Sequence, residues 1–269
     1  MKNIIRVMTL ALCLVMLASS AMADGLTLRD LSADHVYEAK LTRLVKFTGE
    51  GLMDHYYVQQ GACTDGEYAY CLLESRPDAA CGMFKLSLDD WSIVEIVYNV
   101  PVEHGNGLAY NSKTNQFVVS HCKPSTNRIS ILDHDTYAVV DSFDLPMPVL
   151  SIAYDEVGDR YVVGHKDGVH FSVLDSEFNV TATYEMVPEF TNNQDCDCDD
   201  QYIYLLEWDT AKLYASNVSV YDWEGNFVTS IVLKSMNEVE SMFHYGDKII
   251  FPFYTKAADI YEAELKIKK

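Results

Sequence analysis

A phrase returns along this chain with starts at Gln60, Asn106, Leu150, Gln194 and Ser241, a spacing of 44 to 47 residues. The copies read QGACTDGEYAY, NGLAYNSKTNQFVV, LSIAYDEVGDRYVV, QDCDCDDQYIY and, more loosely, SMFHYGDKIIF. Each places an apolar or small-residue run before an Asp, Asn or Gly turn, then follows it with an aromatic and β-branched run. Short strands repeated at this period mark one four-stranded sheet per repeat, the blade of a β-propeller. The fold class expected is all-β, a five-bladed β-propeller.

Within each repeat the chain should run from the innermost strand outward. In the second repeat strands are expected at 107–111, 116–121, 128–132 and 139–145, with Asn115 and Asp133 at turns. The third repeat places them at 151–154, 160–164, 169–174 and 180–185, with Gly158-Asp159 as the tight turn. In the fourth, Asp222-Trp223-Glu224-Gly225 joins 216–221 to 226–233. The last repeat runs out of chain after its third strand, and the Val-, Leu- and Tyr-rich segment 35–47 before the first repeat is suited to complete it. Closing the ring in this way removes a free sheet edge. The competing reading makes 24–47 a separate N-terminal helix or arm.

Lys2 and Arg6 precede an apolar core at 7–17, and Ala21-Met22-Ala23 offers the small residues of a cleavage site. Residues 1–23 therefore read as a signal peptide, and 24–269 as a single domain that is secreted or extracytoplasmic and monomeric. A retained anchor is the weaker reading, because the core is short for ~30 Å of hydrocarbon. The chain carries 40 Asp and Glu against 20 Lys and Arg. Such an acidic surface repels phosphate backbones and anionic lipids, which argues against nucleic acid and membrane as partners. It suits a divalent metal (Ca or Zn), a cationic ligand, or simple solubility. Six cysteines remain beyond Cys13 in the signal. Cys71 and Cys81, on neighbouring strands of one hairpin, are the expected disulfide. Cys63, Cys196 and Cys198 fall on inner strands, either as buried thiols or as metal ligands.

A propeller brings the starting ends of its inner strands and the loops from second to third strands to one mouth of the central channel, the default site. Gln60, His104, Asn106, Gln194 and Asp195 come from the strand starts, and Arg76 and Trp208 from the loops, as ligand-binding candidates. Trp208 in a loop could stack on a sugar ring. His121 and His165 occupy matching positions in VVSHCK and VVGHKD; with His104 they form a candidate proton-transfer or metal cluster, against the alternative of structural histidines. Glu240, beside Glu238 in NEVESMF, is the candidate general acid or base, and Asp195 its proposed partner carboxylate. The chain has no GxSxG, HExxH, phosphate-loop or EF-hand pattern.

The phrases QGACTDGEYAY, HGNGLAYNSKTNQFVV, QDCDCDDQYIYLLE and NEVESMFHYGDKIIF resemble secreted bacterial five-bladed propeller proteins over roughly residues 57 to 269. Gln60-Gly61, the run Asn106 to Tyr110 and Asn237-Glu238-Val239-Glu240 are also similar to phrases of the plant-type glutamine cyclotransferases, although Gln194 lacks the Gly partner of that pattern. The first resemblance implies fold and export; the second implies a cyclotransferase-like chemistry. Three functions follow. The first is binding of a small extracellular carbohydrate or peptide fragment at the channel mouth. The second is a hydrolase or glutaminyl-cyclase-like enzyme using Glu240, and the third a protein-interaction propeller.

Overall fold

Short apolar and β-branched runs between turn residues build the described residues almost entirely into strands. The computed structural model describes residues 25–47, 56–75, 80–187, 192–209, 215–234, 237–254 and 258–269; the expected signal segment 1–23 and Arg76 lie outside them. A single 3-10 turn, Leu28–Asp30, precedes β1 (Tyr37–Phe47). The first sheet holds β2 (Tyr56–Thr64), β3 (Tyr68–Ser75), β4 (Cys81–Ser87) and β5 (Ile93–Val100). The second holds β6 (His104–Asn111), β7 (Gln116–Lys123), β8 (Arg128–Asp133) and β9 (Val139–Asp144). The third holds β10 (Val149–Asp155), β11 (Arg160–His165), β12 (His170–Asp175) and β13 (Val180–Glu185). All three are antiparallel meanders in chain order.

The remaining strands join in one nine-stranded sheet. Its first part is the meander β14 (Asn192–Cys198), β15 (Tyr202–Asp209), β16 (Ala215–Asp222) and β17 (Phe227–Lys234). Its second part is β18 (Glu238–Val239) and β19 (Phe243–Tyr245), both paired with β20 (Lys248–Tyr254), then β21 (Ala258–Ile267). β1 runs antiparallel along β21 from Tyr37↔Ile267 to Phe47↔Ala258 and touches β17 in parallel at Tyr37↔Ile231 to Ala39↔Leu233. The N-terminal segment is thus a strand of the last sheet rather than a separate arm. The architecture is all-β and propeller-like, and among the described residues no helix is long and apolar enough to cross a membrane.

The repeat period is visible as a step from sheet to sheet. Hydrogen bonds from His104 to Gln60, Asn106 to Leu150, Ser112 to Glu156 and Gln194 to Glu238 each join residues 44 apart. The inner strands pack in succession, β2 on β6, β6 on β10, β10 on β14, β14 on β19, and β19 on β2. Apolar clusters fill the spaces between facing sheets, and the alternating pleat divides neighbours between them. Tyr70 and Leu72 pack toward Leu108, Phe117 and Val119, whereas Ala69, Cys71 and Leu73 turn the other way, toward Phe243, Ile250 and Ile260. Gly107 allows one such close approach: a Cβ there would fall 2.7 Å from the Ile152 nitrogen and 2.8 Å from the Ser151 Cα. Turn residues behave as expected, with Asn115 (φ 54) and Asp159 (φ 52) in the left-handed region that Asn and Asp tolerate.

The expected Cys71 and Cys81 disulfide is not formed. In the β3–β4 register Cys71 faces Phe84 and Cys81 faces Glu74, so the two thiols sit three positions apart. That is about 10 Å along the strand, and an odd offset puts them on opposite faces. Cys71 packs with Phe84 and Ile250, Cys81 with Met83 and Val102. All six described cysteines are free thiols.

Candidate functional site

At the rim where the inner strands begin, the polar residues bind one another. Gln60 takes His104 Nε2 at 3.1 Å on its Oε1 and donates its Nε2 to the Gln59 carbonyl at 2.9 Å. The other ring nitrogen of His104 lies 2.9 Å from Glu74, which Lys123 approaches at 3.5 Å. Asn106 donates to the carbonyls of Leu150 (3.1 Å) and Gln194 (3.2 Å), and Gln194 donates to Glu238 at 3.0 Å. Asp195 is buried; it accepts from Ser241 Oγ and, at 3.2 Å, from the Met242 N–H. Ser241 Oγ in turn accepts from the Ala62 N–H, tying β2 and β14 together at this level.

Burial raises the carboxyls of Glu240 and Asp195 well above the usual carboxylate range, and for Glu240 the charges of Glu238, Glu74 and Asp195 add to it. Burial and the company of three other carboxyls thus both favour the neutral form of Glu240. Trp208 is not in a loop as expected. It lies within β15 opposite Asn192 and Ser216 and is buried, because the second strand of that sheet runs three residues beyond its hydrophobic run Tyr202–Leu206.

His121 and His165 do not share partners with His104. Each closes the second strand of its sheet on a serine of the third: His121 Nε2 with Ser130 and His165 Nε2 with Ser172, both at 2.9 Å. Glu207 stands at the same place in β15 and accepts from Ser219. His121 also meets Glu103 at 3.1 Å. Burial lowers the pKa of both histidines, so each is a neutral imidazole at neutral pH. Cys196 and Cys198 share one apolar cluster with Val162 and Tyr221, and burial raises both thiols.

The open cavity lies at the opposite rim, where the inner strands end. Its volume is about 440 Å³, and its floor is apolar, with Leu108, Ala153, Cys198 and Phe243 among its residues. Its wall carries Asp65, Asp155, Glu156, Asp197, Asp199 and Asp200 against two cationic side chains, Arg29 and His244. The rings of Tyr110, Tyr154 and Tyr245 also line it. Asp65, Asp155, Glu156, Asp199 and Asp200 come from the turns that close three of the inner hairpins and Asp197 from the end of β14, which is why they converge.

Asp65 and Asp199 do the same local work. Asp65 Oδ1 accepts from the N–H groups of Glu67 (2.8 Å) and Tyr68 (2.7 Å) while Oδ2 takes Tyr70 OH at 2.7 Å. Asp199 holds Gln201, Tyr202 and Tyr204 OH in the same manner, at 2.7 to 2.8 Å. Burial opposes the charge on Asp65, yet these donors together with His134 hold its pKa below the usual carboxylate range. Asp155 pairs with Arg160 at 2.8 Å, and Arg29 reaches Asp200 at 2.7 Å. His244 Nδ1 sits 2.7 Å from Asp197, whose charge, working against partial burial, lifts the imidazole to about 9. At neutral pH His244 is therefore a cation within an acidic cavity. Of this rim the sequence offers the acidic run Asp195–Asp200, which reads as a solvated turn or a cation site, whereas Asp65 and Asp155 read only as turn residues.

No protein-family model matches the sequence, and no curated protein matches it. Among solved structures the chain is similar to Kuenenia stuttgartiensis hydrazine synthase, with 10% identity and a TM-score of 0.49, covering 77% of this chain and 58% of that one. It is also similar to U3-55K, with 8% identity and a TM-score of 0.50, covering 86% of this chain and 99% of that one. Both are β-propeller-type proteins, and the likeness to U3-55K shows the fold alone.

Proposed function

We propose that this chain is an exported five-bladed propeller, its last blade completed by β1, which binds a small organic cation in the cavity at the finishing rim of its inner strands. The blade count rests on the cyclic packing of β2, β6, β10, β14 and β19, with the nine-stranded sheet taken as two blades joined where β1 meets β17. Export rests on residues 1–23. The observation that carries the binding reading is the 440 Å³ cavity with six carboxylates against two cations. Its volume lies in the range of small-molecule sites and far exceeds that of a bare ion. The carboxylate oxygens already serve turns and ion pairs in separate blades, so they supply a diffuse negative potential rather than one coordination sphere. An ammonium or guanidinium group among Tyr110, Tyr154 and Tyr245 gains from both the field and the ring faces. The carbohydrate expected from sequence matches the charge less well than a cationic peptide fragment or polyamine does.

The test is calorimetric titration with spermidine, an arginine-containing dipeptide and neutral oligosaccharides. One cation per chain is expected, with affinity falling as salt rises and about tenfold weaker in the double variant Glu156→Gln/Asp200→Asn. A matched pair of changes on outermost strands, Asp141→Asn/Glu185→Gln, should leave it unchanged. Saturable binding of a neutral sugar with no response to the cavity variants would overturn the reading.

A second reading has one observation in its favour. Glu240 is a buried carboxyl whose pKa is raised by burial and by the charges of Glu238, Glu74 and Asp195, a bias suited to general-acid chemistry. Together with the Gln60-Gly61 and Asn106-Gly107 phrases this supports a cyclotransferase-like enzyme at the starting rim. Conversion of N-terminal glutaminyl peptides that is abolished in Glu240→Gln would establish it, and no turnover at high enzyme concentration would remove it.

A further inference from the structure

The turn between β11 and β12 gathers two imidazoles and a carboxylate in the stretch His165-Lys166-Asp167-Gly168-Val169-His170. One ligand atom from each of His165, Asp167 and His170 lies within 4.8 Å of the other two. Around a zinc-sized ion with bonds near 2.0–2.1 Å, tetrahedral ligand atoms stand about 3.4 Å apart. Side-chain rotation alone can close the difference, because the backbone of the turn is already set. Gly168 adopts φ +74, and Asp167 Oδ1 accepts from the N–H groups of Val169 (2.9 Å) and His170 (3.1 Å). This leaves Oδ2 pointing at His170 Nδ1, 2.7 Å away.

A second observation concerns the far side of His165. Its Nε2 meets the buried Ser172 hydroxyl at 2.9 Å, and Ser172 continues to Thr183 at 2.7 Å. With Ser172 donating to Thr183, His165 donates from Nε2 and keeps the lone pair on Nδ1. An outer hydrogen bond that fixes the tautomer and the ring plane is the arrangement metal-binding histidines use. The preceding sheet supplies a comparison. His121 makes the same bonds through Ser130 to Ser142, but its Nδ1 is occupied by Glu103 at 3.1 Å. One repeat of 44 residues later, the place of Glu103 is taken by Met147, which has no carboxylate. Asp167 and His170 stand near His165 instead. The one cation in the turn, Lys166, is drawn off to the Cys122 carbonyl at 2.6 Å.

We infer that His165, Asp167 and His170 bind one divalent transition-metal ion of the zinc class, through two imidazole nitrogens and one carboxylate oxygen, with water completing the sphere. Two imidazoles select zinc, nickel or copper over calcium, which takes six to eight oxygens. The site is independent of the acidic cavity. It lies at the other end of the third sheet from the β10–β11 turn, whose Asp155 and Glu156 line that cavity.

The test is zinc titration of untagged protein against a chromophoric chelator, with the bound metal counted by native mass spectrometry. One zinc per chain is expected, and excess calcium should not displace it. His170→Ala and Asp167→Asn should each weaken it by about a hundredfold, at least the loss typical of an outer-sphere partner. His170 is half-buried on the surface and Asn keeps the acceptor that sets the turn, so both variants should fold, which far-UV circular dichroism checks. His244→Ala should bind as the parent does. The inference is overturned if zinc does not bind one to one, if both turn variants keep the parent affinity, or if binding is lost in His244→Ala instead.

Discussion

Replacing His244 with Gln should remove one pH-dependent component of stability and at the same time change the charge of the cavity. Asp197 lifts His244 from its ordinary 6.5 to about 9 in the folded protein. A rise of that size corresponds to on the order of 3 kcal/mol of folding free energy. Because the folded value is the higher one, this stabilisation is fully present below about pH 6.5 and is lost as pH rises through about 9. Urea unfolding of parent and variant at pH 6, 8 and 9.5 reads it directly. The gap between them should be widest at pH 6 and shrink by on the order of 3 kcal/mol at the alkaline end, whatever the other groups contribute. Loss of the His244 charge also makes the cavity more negative, so the affinity for an organic cation should climb over the same pH range in the parent and stay flat in His244→Gln. Parallel stability profiles with a constant gap from pH 6 to 10, or a His244 NMR titration near 6.5, would refute the pairing with Asp197.

Glu240→Gln should stabilise the protein at neutral pH, because a buried carboxyl with a raised pKa costs native stability as pH climbs above about 4.5; the gain in unfolding midpoint should grow with pH from there. Gly107→Ala should destabilise by about 1–3 kcal/mol or more, since its methyl would press on the backbone of β10, and a urea midpoint within error of the parent would contradict the close approach. Protein denatured without reductant should show all six cysteines beyond the signal segment reactive to a thiol reagent; four or fewer would point to a disulfide.

Strands were legible because packing between apolar layers leaves short apolar and β-branched runs bounded by turn residues. The expected 160–164 became Arg160–His165, and the expected 180–185 became Val180–Glu185. The N-terminal 35–47 segment was legible for the same reason, since Tyr37 and Ala39 pack into the last sheet. Hairpin register was not legible. Composition says that Cys71 and Cys81 are on adjacent strands, but only the register says which residue faces which, and a one-residue slip reverses every face. The left-handed aromatics were also missed. Trp91 (φ 61), Tyr137 (φ 56) and Phe178 (φ 63) stand at the outer hairpins of the first three sheets, where the fourth uses Gly225. Their signal was weak because the required conformation is one that bulky residues rarely adopt.

The candidate site divided along a physical line of the same kind. Gln60, His104, Asn106 and Gln194 stand out in sequence because they are polar residues inside apolar strands, and a polar group taken from water must find a partner. They found it in each other and in the backbone of the next sheet, at 2.9 to 3.2 Å. Asp65, Asp155 and Asp199 are inconspicuous because turns often carry Asp, yet the ring of hairpins brings their charges to one rim with a cavity between them. Hydrogen bonds tie the strand starts together at one end, where Glu240 and Asp195 are buried carboxyls, and six carboxylates face two cationic side chains at the other. Under the proposed binding of an organic cation, the negative potential of those carboxylates would draw the ligand to the turns rather than to the polar strand starts.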